Sequence, residues 1–381
     1  MRKNIFLAIA TTALALSACS GDAALQEVSK QGTEANTAGA IDFNVLVNKS
    51  TRGLQVNSVT DMQASSIQVF GFYSTGAAFG EIQDNAGTDK GTELSYTNSR
   101  WNYTNKAYWP TDGSKLDFYG VWPNTVQTLS ITATNKQINN FTVDNDVAKQ
   151  VDLLYALTKD KDANPVVLHF KHALTSIKFK AVALHDGSYP DNPSVRINSM
   201  TLHNVNNSGD FTFPVGTTTN DATNVGTWSN VTGSASYTFS TPAGEVSDGT
   251  DASDLMSVTG PLFVIPQTVS PWTTSATTAV PTTTANTSGD KYLEIECYIK
   301  DTAGDEEELV GSESGGTYTY GKVYVPLSAP DGAWKEGKQY TYTLKFGYGY
   351  NADGTPVKRS PIIFEVEVDE WDDTPSDVTL P

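Results

Sequence analysis

Short runs that alternate apolar and polar side chains recur along this chain, and no window of useful length carries a helical period. Thr, Val, Tyr, Gly and Asn dominate the runs, and turn clusters separate them at near-regular spacing. Such a pattern can fold only by burying one face of many strands, so the expected class is all-β, built as sandwiches. Strands are expected at 66–73, 98–108, 115–122, 140–143, 151–157, 166–182, 195–204, 209–213, 236–239, 261–266, 292–299, 321–327, 339–346 and 362–368. The period slips near 173–176, which predicts a bulge or kink there. Residues 268–290 are Thr-rich with Pro271 and Pro281, and read as a long solvated loop.

The first run, 41–47, places Ile41, Phe43, Val45 and Val47 on one face of a half-buried strand. Asn48, Lys49 and Ser50 break the pattern as a turn does, and Thr51, Arg52 and Gly53 follow. A lone arginine beside a glycine in an exposed loop is where a protease cuts. The strand is therefore expected to fold with the chain, to be freed by cleavage between Arg52 and Gly53, and to leave a groove. The plainer alternative is an ordinary first strand and loop. Lys49 and Arg100 are the competing cleavage sites.

Arg2 and Lys3 precede an apolar run, 5–16, that is too short to span a bilayer, which is the form of a secretory signal. It ends Leu16-Ser17-Ala18-Cys19, the pattern of a bacterial lipobox, so Cys19 is expected to be lipidated and residues 1–19 form the signal. Acyl chains then anchor the precursor to the outer membrane, each buried methylene contributing ~0.8 kcal/mol. Residues 20–40 lack a sustained period and read as a flexible tether.

Charge bounds the partners. The chain carries −18 in all. Residues 1–52 hold five basic and four acidic side chains, so the remaining 329 residues hold −19. A surface that acidic argues against nucleic acid and anionic lipid. Length suits two domains. The polar stretch 160–165, ending in Pro165, is the expected boundary, giving domains at 41–163 and 164–381. The cysteines are Cys19 and Cys297. With Cys19 acylated no disulfide forms within the chain, and Cys297 falls with Leu293 and Ile295 on an apolar face as an inert core residue.

Candidate chemistry is sparse. His169 and His172 are three apart in a strand and point to opposite faces, poor geometry for one metal. His172 is expected at a sandwich edge and His169 in solvent. Acidic clusters at 305–308 and 369–373 lack the spacing of a calcium loop. No catalytic triad, phosphate loop or paired catalytic carboxylates appears, so no enzyme activity, cofactor or metal is expected.

Several of these pieces together resemble the fimbrillins, the type V pilin subunits of Bacteroidales. The carriers are the lipobox at Cys19, the first strand followed by Thr51-Arg52-Gly53, and Tyr108-Trp109-Pro110 before Lys115-Leu116-Asp117-Phe118-Tyr119. Others are the stretches 151–156, 168–174, 333–340 and 364–371. The resemblance implies two transthyretin-like β-sandwich domains in tandem, export as a lipoprotein, and cleavage by an arginine-specific protease after the first strand. It implies assembly into a cell-surface fimbrium with other subunits by strand donation, as stalk, accessory or tip. The C-terminal run, Ile362, Phe364, Val366 and Val368, has the period of a donor strand, yet the chain ends ten residues beyond Trp371. The same run packed on its own domain is the alternative. A surface lipoprotein that binds a glycan or host ligand without polymerising is the competing function.

Overall fold

The alternating runs pair as strands across nearly the whole chain. The computed structural model describes residues 39–47, 59–82, 91–126, 129–183, 193–246, 251–257, 260–270, 290–302, 307–346 and 363–370. In chain order the first strands are β1 (Phe43–Val47), β2 (Ile67–Tyr73), β3 (Thr92–Thr97), β4 (Arg100–Asn102), β5 (Leu116–Trp122), β6 (Leu129–Ile131), β7 (Lys136–Thr142), β8 (Leu154–Lys161) and β9 (Val166–His172). Seven of them form one sheet in the order β1-β9-β8-β5-β2-β3-β4. The single α-helix among the described residues is the short α1 (Val59–Met62), which lies beside β1.

Both faces of this sheet are buried at its centre, which explains why β5 and β8 are rich in large apolar residues at both phases. Phe43, Val69, Phe118, Leu154 and Phe170 pack on one face. Phe70, Phe72, Tyr119, Val121, Tyr155 and Leu157 pack on the other. Gly120 has a packing reason: a Cβ there would lie 2.8 Å from the Phe170 ring, so only glycine lets that ring settle against the central strand.

The remaining strands are β10 (Thr175–Ala183), β11 (Pro193–Val205), β12 (Ser208–Thr212), β13 (Thr227–Thr232), β14 (Ala235–Ser240), β15 (Ser253–Asp254), β16 (Leu262–Val264) and β17 (Gln267–Thr268). They continue with β18 (Tyr292–Asp301), β19 (Glu308–Val310), β20 (Ser312–Ser314), β21 (Thr317–Thr319), β22 (Gly321–Pro326), β23 (Ala333–Trp334), β24 (Lys338–Phe346) and β25 (Ile363–Glu370). One sheet runs β15-β10-β24-β25, with β16 also on β10; another runs β14-β11-β18-β19, with β22 also on β18. Their shared core stacks Phe179 on Phe239 and on Tyr342, with centroids 5.6 and 5.5 Å apart. Cys297 is fully buried there beside Leu293 and Ile295, and burial, with the Glu296 charge, pushes its thiol up to about 12, so it is unreactive.

The expected break in 166–182 falls between His172 and Thr175, where β9 ends and β10 begins in a different sheet. The expected boundary is placed differently. Residues 160–165 hold the end of β8 and its connection to β9, which are neighbours in the first sheet, so β9 pairs with the strands before it. A polar loop ending in proline serves a strand connection as well as a linker. The halves are also interlocked. The hairpin β12–β13 lies between β11 and β14 in sequence, yet it joins β7 and β6 in a four-stranded sheet, β13-β12-β7-β6. Its Phe211 and the following Phe213 pack on Tyr155 of the first sheet, with centroids 4.7 and 5.7 Å away.

Polar contacts close the junction. Tyr155 Oη donates to Glu336 and accepts from the Gly226 amide (3.0 Å). Trp228 Nε1 donates to the Ala173 carbonyl (2.7 Å), and Thr175 Oγ1 donates to that of Lys335 (2.8 Å). His172 is completely buried at this junction, its Nδ1 2.9 Å from Asp152 Oδ2, and does not sit at a sheet margin. His169 is half-buried and not exposed; burial lowers its pKa to about 4.

Candidate functional site

β1 is the end strand of the first sheet and runs parallel to β9, with Phe43 opposite Val166 and Val47 opposite Phe170. Its burial follows the sequence period. Ile41, Phe43, Val45 and Val47 are 5% exposed or less, while Asp42, Asn44 and Leu46 alternate as half-exposed positions. The Phe43 ring meets Tyr103 and Phe118 edge-on at 5.8 and 5.4 Å. Met62, Trp101 and Leu168 complete the same cluster. Without β1 this cluster becomes an apolar groove bounded by the unpaired ladder of β9.

One residue that sequence reasoning missed holds the entry to the strand. Asn164 Oδ1 accepts from the Asp42 amide (2.8 Å) and from Trp109 Nε1 (3.1 Å), and its Nδ2 donates to the Ala40 carbonyl (2.6 Å). The Val166 amide donates to the Asp42 carbonyl at 2.8 Å. On the outer side, Tyr103 Oη donates to the Ile41 carbonyl (2.8 Å) and the Ile41 amide donates to the Ala107 carbonyl (2.8 Å). These contacts grip residues 40–42. Beyond them the outer edge of β1 has no strand partner among the described residues. Asn164 stands in the loop whose polarity resembles a linker, and only its place before Pro165 marks it.

Cys19, Arg52 and Gly53 lie outside the described residues, as do Ile362, the turn at 48–50 and the tail from Trp371. Of the competing cleavage sites, Lys49 also lies outside them, whereas Arg100 is half-buried in β4, paired with Thr97, and is not a loop residue. The C-terminal run pairs antiparallel with β24, placing Phe364 opposite Leu344, Val366 opposite Tyr342 and Val368 opposite Tyr340. β25 is the end of its sheet. Val366 is half-buried and Val368 is 41% exposed, so the inward packing expected of that face does not extend to Val368. β1 and β25 belong to different sheets.

Among the described residues no three His, Cys, Asp or Glu side chains are placed to hold a metal ion. No helix among them is long and apolar enough to cross a membrane. The site is one of backbone ladders and apolar pockets, with no constellation of titratable side chains among the described residues.

A fimbrillin-like family model matches residues 51–371. The chain is 22% identical to fimbrium subunit Fim1C of Phocaeicola vulgatus, across 99% of each protein. A crystal structure of a fimbrial protein from Bacteroides vulgatus superposes with a TM-score of 0.55, at 17% identity, covering 87% of this chain and 99% of that one.

Proposed function

The chain belongs to the fimbrillin-like family, and from that premise we propose that it is a fimbrial subunit assembled by replacement of its first strand. It is a structural protein and not an enzyme: the matched family and the relative are fimbrial. In this reading the two halves are tandem transthyretin-like sandwiches. The precursor is exported with Cys19 lipidated, held at the outer membrane by its acyl chains, and tethered by residues 20–40. Cleavage at Arg52 separates residues 41–47 from the body. A strand from another subunit then takes their place, and head-to-tail donation of this kind propagates as a filament.

The observation that carries the reading is the position of β1. Among the described residues it pairs along its ladder with β9 alone, so it leaves without breaking a second ladder among them, yet its inner row is fully buried. A strand so placed both blocks the edge of the precursor and leaves a templating edge when it departs. The donor in this reading is the segment carrying Ile362, Phe364, Val366 and Val368, whose alternation matches the pockets vacated by Ile41, Phe43, Val45 and Val47.

Mild trypsin treatment of the purified precursor tests the proposal. The expected result is a new N-terminus at Gly53, followed by a ladder of oligomers that heating in detergent dissolves. Arg52→Ala should remain monomeric, and removal of residues 361–381 should give a folded monomer that is cut but does not polymerise. A cut chain that stays monomeric at high concentration would overturn strand exchange. Oligomers formed equally by the truncated chain would move the donor elsewhere.

A further inference from the structure

The connection 123–126, the end of β7 and the segment 143–151 surround a cleft of about 330 Å³. This is the lower end of the size range of small-ligand sites, about 300–1,000 Å³. Val143 is buried and Phe141 is half-buried, its ring fixed edge-on against Trp228 at 5.9 Å. Val151 stands at the rim with 46% of its surface exposed.

The polar groups are ordered before any ligand arrives. Asn140 adopts a left-handed backbone (φ 50°), and its amide donates to Asp210 Oδ1 at 2.7 Å, which holds the turn. Asp144 Oδ1 accepts from the Asp146 amide at 2.8 Å, and Lys149 is paired with Asp146 at 2.9 Å. Asp144, Asp146 and Lys149 together carry one net negative charge at this end of the cleft.

We propose that this cleft binds one neutral sugar residue of a glycan, with Phe141 against the apolar face of the ring and Asn140 and Asp144 reading neighbouring hydroxyls. The combination suits that chemistry. A pyranose offers an apolar face and a rim of vicinal hydroxyls, and an amide with a carboxylate reads such pairs as donor and acceptor. An anionic sugar is disfavoured by Asp144 and by the chain's overall charge of −18. The proposal does not depend on strand exchange at β1.

The test is an array of neutral and sialylated oligosaccharides probed with the full chain and two variants. Asp144→Asn removes the carboxylate at an exposed position. Val151→Trp closes the mouth from the exposed rim without touching the core. The expected result is retention of neutral glycans over sialylated ones, at least a tenfold loss with Asp144→Asn, and no retention with Val151→Trp, both variants melting as the parent does. The proposal is overturned if no glycan is retained, if sialylated glycans are preferred, or if both variants bind like the parent. It is likewise overturned if a mucin stripped of its glycans binds as well as the intact one.

Discussion

Among the described residues each half of the molecule contains one parallel pair, β1 with β9 and β10 with β24, and the two pairs end differently. In the second half a further strand, β25, covers the outer edge of β24. In the first half β1 is itself the margin. Both margins are end strands, yet they are held in unlike ways. The inner row of β1 is at most 5% exposed, whereas Val368 of β25 is 41% exposed and Val366 is half-buried. A margin is therefore not by itself a weak point; what matters is how much apolar surface goes with it. Burying each large apolar side chain contributes about 1.5–3 kcal/mol, so the four of β1 contribute roughly 6–12 kcal/mol as an upper bound. That is comparable to the whole stability of a typical domain, about 5–15 kcal/mol. A chain cut at Arg52 would keep its first strand bound, and release would need an incoming strand that fills the same pockets.

The sharpest way to break this comparison is a pair of truncations to alanine, one at each margin. Phe43→Ala should cost about 3–5 kcal/mol in denaturant unfolding, because its ring is packed against Tyr103 and Phe118 and the space cannot close fully. Acid should act next most strongly, and on the β1 side. His169 lies opposite Leu46 in the β1–β9 ladder, and its pKa is lowered from 6.5 to about 4. The unfolded chain therefore takes up that proton first. Stability should be level above about pH 7 and fall as pH drops from 6.5 towards 4, by about 2 kcal/mol at pH 5. His169→Gln should remove most of that loss in melts compared at pH 7 and pH 5.

Asn164→Ala should cost about 1 kcal/mol, since its bonds to residues 40 and 42 are at an exposed position where water replaces them. Hydrogen exchange should accelerate at the Asp42 amide in that variant. At the other margin, Val368→Ala should change stability by less than about 0.5 kcal/mol, as at an ordinary surface site. Equal costs for Phe43→Ala and Val368→Ala would dissolve the distinction between the two margins.

Local pattern made much of this legible. Period two named the buried row of β1, the slip at 173–176 marked the passage from one sheet to another, and the apolar face of 292–299 placed Cys297 in the core. Pairing over long separations was not legible, because a strand carries no local record of its neighbour. Nothing in residues 43–47 says that they lie parallel to 166–170, and nothing in 208–232 says that the hairpin crosses to the other half. Asp152 and His172 meet for the same reason without a signal, twenty positions apart. Asn164 was hidden by ambiguity, since the residues that make a good linker also make a good clamp.

The crossing hairpin also imposes an order in time. As the chain emerges from the ribosome or the translocon, residues 43–172 can complete their own sheet, but the cover over Phe70, Phe72 and Tyr119 is unfinished until residue 232 has arrived. By then β10 and β11 are already waiting for partners at 292–301 and 338–346, still to come. Neither half is closed before the other has begun. A nascent chain of this topology therefore emerges with an apolar face that closes only once strands from both halves are present.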